Sequence, residues 1–445
     1  MAMFRHSATT RRLAPLACAA LAGSLVAGCG ASTSGSGGGD AKGPLEVWTR
    51  SDTVDAKAYK RIFAAFTKKT GIKVDYKPVV DFDKLLQQRA ASKDLPDVTV
   101  NDMGSLGNYQ SQGLLQPIDK KAIKGTSDIT GTAWSGAVGT DGKTYGIPFS
   151  RQAQGMFIRK DWLAKVGKKA PKTWAELLDV AKAFTNEDPD GNGKKDTYGL
   201  LVPGSTNNGY LAWFASNFIW QGGGDIVASR GGGKYEAVAD SPANVKTVTW
   251  LKGLYCSSKV TQPGSLTMTT GDSYPFFTQG KVGISLTGPY EFPLFDKTPG
   301  KDKLEVIPAP KGPDGNTVLA EGENVYLMAG SKKSEQQRKL AEFLISPEAQ
   351  KLGMTAPDAP VVRLSVNTKV DTGKVYNDPR WKIFSDAYAS DSKPFPSAIN
   401  YQPIRQDTAE SLNKLFANCG SSVKSGLGEL NSTLQQELKS QGVAK

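Results

Sequence analysis

Asp188-Pro-Asp190-Gly-Asn192-Gly-Lys194-Lys-Asp196 is the segment of this 445-residue chain with the sharpest chemical meaning. Counted from Asp188, side-chain oxygens stand where an EF-hand-like loop needs them, at Asp188, Asp190, Asn192 and Asp196. Gly193 takes the tight-turn place, and Lys194 can offer its carbonyl. Oxygen ligands in that order suit Ca²⁺, although Gly199 stands where a bidentate Glu is usual. A structural Ca²⁺ completed by a distant carboxylate or water is the expectation, and a plain Asp/Gly turn is the alternative. No cofactor is required.

Nucleophilic chemistry has little to work with. His6 is the only histidine, and it lies in a segment expected to be lost. Arg5, Arg11 and Arg12 precede an apolar run from Leu13 to Ala27, closed by Val26-Ala27-Gly28-Cys29. That run falls short of the ~20 residues a membrane-spanning helix needs, so residues 1–28 read as a signal peptide. The cut site resembles the lipobox of bacterial lipoproteins, whose cysteine carries a diacylglyceryl thioether; an ordinary cleavage site with a chance cysteine is the alternative. Residues 29–44, rich in Gly and Ser, then form a flexible tether behind a lipid on Cys29.

Loss of those arginines takes the formal charge from +12 to +9. Without histidine, Ser-His-Asp and Cys-His catalysis and His-rich zinc sites are excluded, which leaves carboxylate pairs as the conventional catalytic option. The basic residues are dispersed, with no RNP-type motif, zinc-finger spacing or arginine cluster, so nucleic acid is not an expected partner. Cys18 leaves with the signal peptide. Cys256 and Cys419 remain as a candidate disulfide in an oxidising compartment, although sequence alone does not bring them together.

The elements that must position these groups are α/β. Leu45-Glu-Val-Trp48 opens as a strand; Tyr59, Ile62, Phe63 and Phe66 then define one helix face, with Gly71 placed to cap it. Ile72, Val74 and Tyr76 alternate as a strand, a helix carries Phe82, Leu85 and Leu86, and Asp97-Val-Thr-Val100 is the next strand. Ligands bind outside the carboxyl ends of such parallel strands, so residues 48–52 and 101–105 become site candidates. Thr173-Trp-Ala-Glu176 fits a capping box, with Trp174 in the buried stripe behind it, and Ser334 with Gln337 has the same spacing. Tyr210, Trp213, Phe214, Phe218 and Trp220 crowd together before Gly222-Gly-Gly-Asp225.

The order of several short stretches resembles the extracellular carbohydrate-binding proteins of ABC importers, the maltose-binding-protein-like family. They are Gly113-Leu-Leu-Gln-Pro-Ile-Asp119, Tyr145-Gly-Ile-Pro-Phe149 with Met156-Phe-Ile-Arg-Lys-Asp-Trp162, Thr173-Trp-Ala-Glu176, and Trp220-Gln-Gly-Gly-Gly-Asp225. Phe277-Thr-Gln-Gly-Lys-Val-Gly-Ile284 with Thr287-Gly-Pro-Tyr290, and Ala341-Glu-Phe-Leu-Ile-Ser-Pro-Glu348, complete the set. The resemblance implies a two-lobed periplasmic-binding-protein fold of type II, each lobe a mainly parallel sheet flanked by helices, with a sugar enclosed between them. Residues 45–148 and 309–356 are expected to form lobe 1, and residues 149–308 and 357–445 lobe 2. The crossings are expected near Gly146 to Phe149, Ile307 to Pro310 and Ala356 to Pro360, where proline suits short extended connectors. The implied partners are a sugar or oligosaccharide, the membrane permease of an ABC transporter and the lipid anchor at the extracellular face of the cytoplasmic membrane, with the receptor a monomer.

A pyranose has an apolar C–H face and a hydroxyl edge, so its site needs flat aromatics and hydrogen-bonding side chains. Candidates of the first kind are Trp48, Phe149, Trp213, Trp220 and Tyr290, the last standing where the family commonly has tryptophan. Candidates of the second are Arg50, Asp52, Asp102, Arg151, Gln152, Asn208, Glu291, Glu323 and Asn324. The alternatives are a secreted glycoside hydrolase, whose cleft would be lined by the same residue types, and a surface adhesin or sensor that binds glycan without import.

Overall fold

Apolar side chains spaced for strand and helix open the folded region, and the computed structural model describes residues 42–356 and 359–445. The signal segment, Cys29 and the tether as far as residue 41 lie outside the described residues, as do Pro357 and Asp358. Tyr59, Ile62, Phe63 and Phe66 are buried on one face of the helix Asp55–Thr70. Gly71 ends that helix at φ 75°, a left-handed conformation that favours glycine, and donates its N–H to Thr67 O.

Strand β1 (Leu45–Arg50) lies parallel between β2 (Val74–Val79) and β3 (Val98–Asp102). β4 (Gly146–Ala153) passes through Gln154 alone into β5 (Gly155–Arg159). Next come β6 (Tyr198–Leu201), a hairpin of β7 (Val227–Gly231) and β8 (Lys234–Ala237), then β9 (Val282–Thr287) and β10 (Leu304–Ile307). The last strands are the long β11 (Val318–Leu327) and the short β12 (Leu364–Ser365) and β13 (Ser392–Lys393). One sheet runs β12-β4-β11-β3-β1-β2, with β13 against the start of β11; a second runs β10-β5-β9-β6, and the β7-β8 hairpin stands as a third.

The sheets are mixed where mainly parallel ones were expected. β11 pairs antiparallel with both β3 and β4, and β5 pairs antiparallel with β9 and β10, because the chain returns between lobes along these strands instead of through helical crossovers. The first sheet packs Leu45, Val47, Phe66, Phe149 and Leu344 into one core, and the second lobe buries Trp162, Trp174, Phe184, Phe218 and Leu434 in another. Ala153, Val318 and Leu319, at the far ends of β4 and β11, belong to the second core. These two strands therefore span both lobes, and on β4 the change of core falls between Phe149 and Ala153, directly after the expected Gly146 to Phe149. Val361, Val362, Val366 and Val370 pack in the first core, so the chain stays with lobe 1 past the expected break at residue 356.

Local signals resolved unevenly. Thr173 Oγ1 accepts from Glu176 N at 3.3 Å as a cap should, while the Glu176 carboxylate takes Lys172 N at 2.6 Å instead of the cap residue's own N–H. The helix Ser334–Leu344 has no side-chain cap; Gln337 is buried and donates to Asp97 O at 2.6 Å, tying the helix to the end of the first sheet. Cys256 and Cys419 are bonded, with Cα atoms 5.6 Å apart, joining the end of the helix Pro242–Cys256 to the turn after the helix Tyr401–Ala417. Among the described residues no helix is long and apolar enough to cross a membrane.

Candidate functional site

Parallel strands end where Arg50 closes β1 and Asp102 closes β3, and there the cleft between the lobes opens as a cavity of about 860 Å³. Arg50 Nη2 donates to Asp102 Oδ1 at 2.7 Å. Strand alternation on β11 sends Glu321 and Glu323 to the cleft on either side of Gly322. The glycine is required by packing: a Cβ there would stand 2.2 Å from Ser150 O of β4.

The two glutamates are held by different partners. Glu321 accepts from the Trp213 indole at 2.8 Å and from Gln152 at 3.4 Å. Glu323 accepts from Tyr59 OH at 2.9 Å and from Arg363 at 3.5 Å. Burial raises the pKa of both carboxyls above the usual range; Asp102 adds to the rise, and the Trp213 and Tyr59 hydrogen bonds and nearby arginines oppose it.

Rings line the same space: Phe82, Tyr210, Trp213, Tyr290, Phe395 and Tyr401. Tyr290 OH accepts from Thr287 Oγ1 at 3.0 Å, and burial beside Glu321 and Glu291 raises its phenol. Trp213 comes from the helix Tyr210–Gln221, which follows Asn208 and Gly209, both at positive φ. The cleft thus offers flat apolar surface beside carboxylates, amides and guanidinium groups.

Of the residues singled out in the sequence, Arg50, Asp102, Gln152, Asn208, Trp213, Tyr290 and Glu323 line this cavity. The others are placed elsewhere. Trp48 is 1% exposed, lies under the helix Phe82–Ala91 edge-on to Phe82, and donates to Glu46 at 2.8 Å. Phe149 is buried against Tyr59 in the first core. Arg151, 1% exposed, donates to Ala133 O, Glu323 O and Asn324 Oδ1 and so braces β4 to β11; Asn324 is equally enclosed and donates to Gly136 O. Asp52 caps the helix Asp55–Thr70 by accepting from Val54 N at 2.7 Å and Asp55 N at 3.0 Å. Trp220 is buried with its indole on Asp225, which also pairs with Lys393. Glu291 is buried and does not line the cavity, and burial pushes its carboxyl up to about 8.

Glu321, Arg363, Phe395, Tyr401 and Arg405 line the cavity and were not anticipated. Glu321 carried a usable signal, since it stands two residues before Glu323 on one strand face. Tyr401 and Arg405 had none, because only the tertiary fold brings the helix Tyr401–Ala417 to the cleft.

The oxygens of the 188–196 loop are engaged by groups of the protein itself. Asp188 accepts from the backbone N–H groups of Gly191, Asn192 and Gly193. Asn192 turns its amide N–H toward Asp190 and Asp196, and the Lys281 ammonium holds Asp196 at 2.6 Å. Among the described residues no group of three or more acidic, histidine or cysteine side chains is arranged to hold a metal ion. The Asp188 bonds close an Asx-type turn.

Residues 50–351 match the family described as bacterial extracellular solute-binding protein, and the chain belongs to that family. It is similar to the polygalacturonan/rhamnogalacturonan-binding protein YtcQ of Bacillus subtilis, with 36% identity over 215 residues, 46% of this chain and 42% of that relative. It is also similar to Lipoprotein LipO of Bacillus subtilis, with 30% identity over 203 residues, 41% of this chain and 38% of LipO. The chain thus spans less than half the length of these two relatives. In fold it resembles an ABC transporter solute-binding protein from Thermotoga lettingae bound with α-D-tagatose, at a TM-score of 0.76 and 20% identity, covering 89% of this chain and 100% of the other.

Proposed function

We propose that this protein captures a sugar or oligosaccharide in the interlobe cleft and delivers it to the membrane subunits of an ABC importer. One observation carries the reading: a single cavity of about 860 Å³ sets six aromatic rings beside carboxylates, amides and guanidinium groups, the pairing a pyranose requires. Membership of the solute-binding family and the sugars named for the similar proteins support it. The protein acts as a monomer, and closure of the lobes on the ligand forms the surface that the permease recognises. It is held at the extracellular face of the cytoplasmic membrane by a lipid on Cys29, a reading supported by its likeness to a lipoprotein.

Thermal unfolding against a panel of saccharides tests capture, because binding only the native state adds about 2.7 kcal/mol at a hundredfold excess over Kd. A stoichiometric rise in melting temperature with the saccharide recovered intact is the expected result. Released product would mark a glycoside hydrolase, and a response confined to polymers would mark an adhesin. Cys29→Ala should release the protein into the medium and lower uptake while the affinity of the purified protein is kept.

A further inference from the structure

Each carboxylate in the heart of the cleft already has a protein donor: Asp102 has Arg50 at 2.7 Å, Glu321 has Trp213 at 2.8 Å, and Glu323 has Tyr59 at 2.9 Å. Arg405, which lines the same cavity, is not matched in this way. Its Nε donates to Gly209 O at 3.3 Å, and among the described residues neither terminal nitrogen has a hydrogen-bond or ion-pair partner. A guanidinium carries five N–H donors in a rigid fork, so most of this one is free for an acceptor entering the cleft.

The side chain is also held in place. Gly209 has φ +68°, and a Cβ there would stand 2.4 Å from Arg405 Cγ, so the missing side chain is what lets the arginine stem lie against this backbone. Tyr401, four residues earlier on the same helix face, lines the cavity with Tyr210 and supplies ring surface beside the guanidinium.

We infer that Arg405 is a specificity residue for a saccharide bearing a carboxylate, a uronic acid, whose two oxygens accept from the free edge of the guanidinium. The inference rests on the saccharide reading above and names the class of sugar. A carboxylate fits better than a phosphate because the charges of Asp102 and Glu321 both reach Arg405, and they repel a dianion more strongly than a monoanion. The residue lies beyond residues 50–351, so the family match does not supply it.

Calorimetric titration would use oligogalacturonates and glucuronate-containing oligosaccharides, each beside its carboxyl-reduced neutral counterpart. The acidic member of a pair should bind about tenfold or more tightly, as a charge-assisted hydrogen bond gives. Arg405→Gln should bring that ratio close to one, and Arg405→Lys should restore part of it. Equal binding of acidic and neutral members by the unaltered protein overturns the inference, as does an Arg405→Gln loss that is the same for both. Tighter binding of a sugar phosphate than of a uronate overturns the choice of carboxylate. Should Arg405→Gln fail to fold, the acid-to-neutral ratio of the unaltered protein and its change in Arg405→Lys decide. Binding of neutral sugars without acid preference removes this inference alone, whereas no binding of any saccharide removes the sugar reading with it.

Discussion

The Trp213 indole donates to Glu321 Oε1 at 2.8 Å, fastening the aromatic helix of the second lobe to the strand that spans both lobes. Trp213→Phe keeps a ring in the cleft and removes that donor. That bond is internal to the protein and contributes about 1.5–3 kcal/mol to the native state; its loss releases the ring and the carboxylate from the arrangement that meets the ligand, so saccharide affinity should fall. The Glu321 carboxyl should rise further, since the indole bond lowers it against the effect of burial. Titration of the variant with the saccharide bound by the unaltered protein checks this, and unchanged affinity would sink it.

Glu291 sets a pH dependence of stability. Burial pushes its carboxyl from 4.5 up to about 8, so between those values the native state keeps a proton that the unfolded chain has released. Its contribution is fully favourable below pH 4.5 and is lost as pH rises toward 8. Glu291→Gln should therefore match the parent near pH 4.5 and exceed it above pH 8, by on the order of 5 kcal/mol. Denaturant unfolding at both pH values reads the difference; a variant that is less stable at high pH would refute the assignment.

Calcium should leave the protein unchanged. With the Lys281 ammonium on Asp196 and three backbone N–H groups on Asp188, the 188–196 oxygens are already engaged. After chelation, added Ca²⁺ should give no heat and no shift in melting temperature. A stoichiometric heat would show that Lys281 and Asn192 give way to the ion.

Reduction of the Cys256–Cys419 bond should destabilise the second lobe. The cysteines are 163 residues apart in sequence, and releasing a loop of that size from the unfolded chain costs about 2–5 kcal/mol of stability in the chain-entropy view. Cys256→Ser should lower the melting temperature as reductant does, and reductant should have no further effect on the variant.

What could be read from the sequence depended on how local each signal was. The opening strands and helices, the Gly71 cap and the buried place of Trp174 follow from spacing within a few residues, and they stand in the fold as expected. Trp48 and Arg50 share a strand face by alternation, yet the helix Phe82–Ala91 covers the first and leaves the second to the cleft. Alternation assigns a face but cannot say what lies on top of it. The polarity of Arg151 and Asn324 suits a ligand, and the fold uses it to satisfy buried carbonyls instead. Arg405 reaches Gly209 across 196 residues, a contact that no periodicity encodes.

The Cys256–Cys419 bond also makes a covalent ring out of the chain between its ends, and that ring holds β9 through β13, strands from the two larger sheets. A protease that nicks any exposed turn inside the ring cannot shed a fragment. A molecule working outside the cell would then stay in one piece after a single cut, and the damage would become visible on a gel only once the sulfurs were reduced.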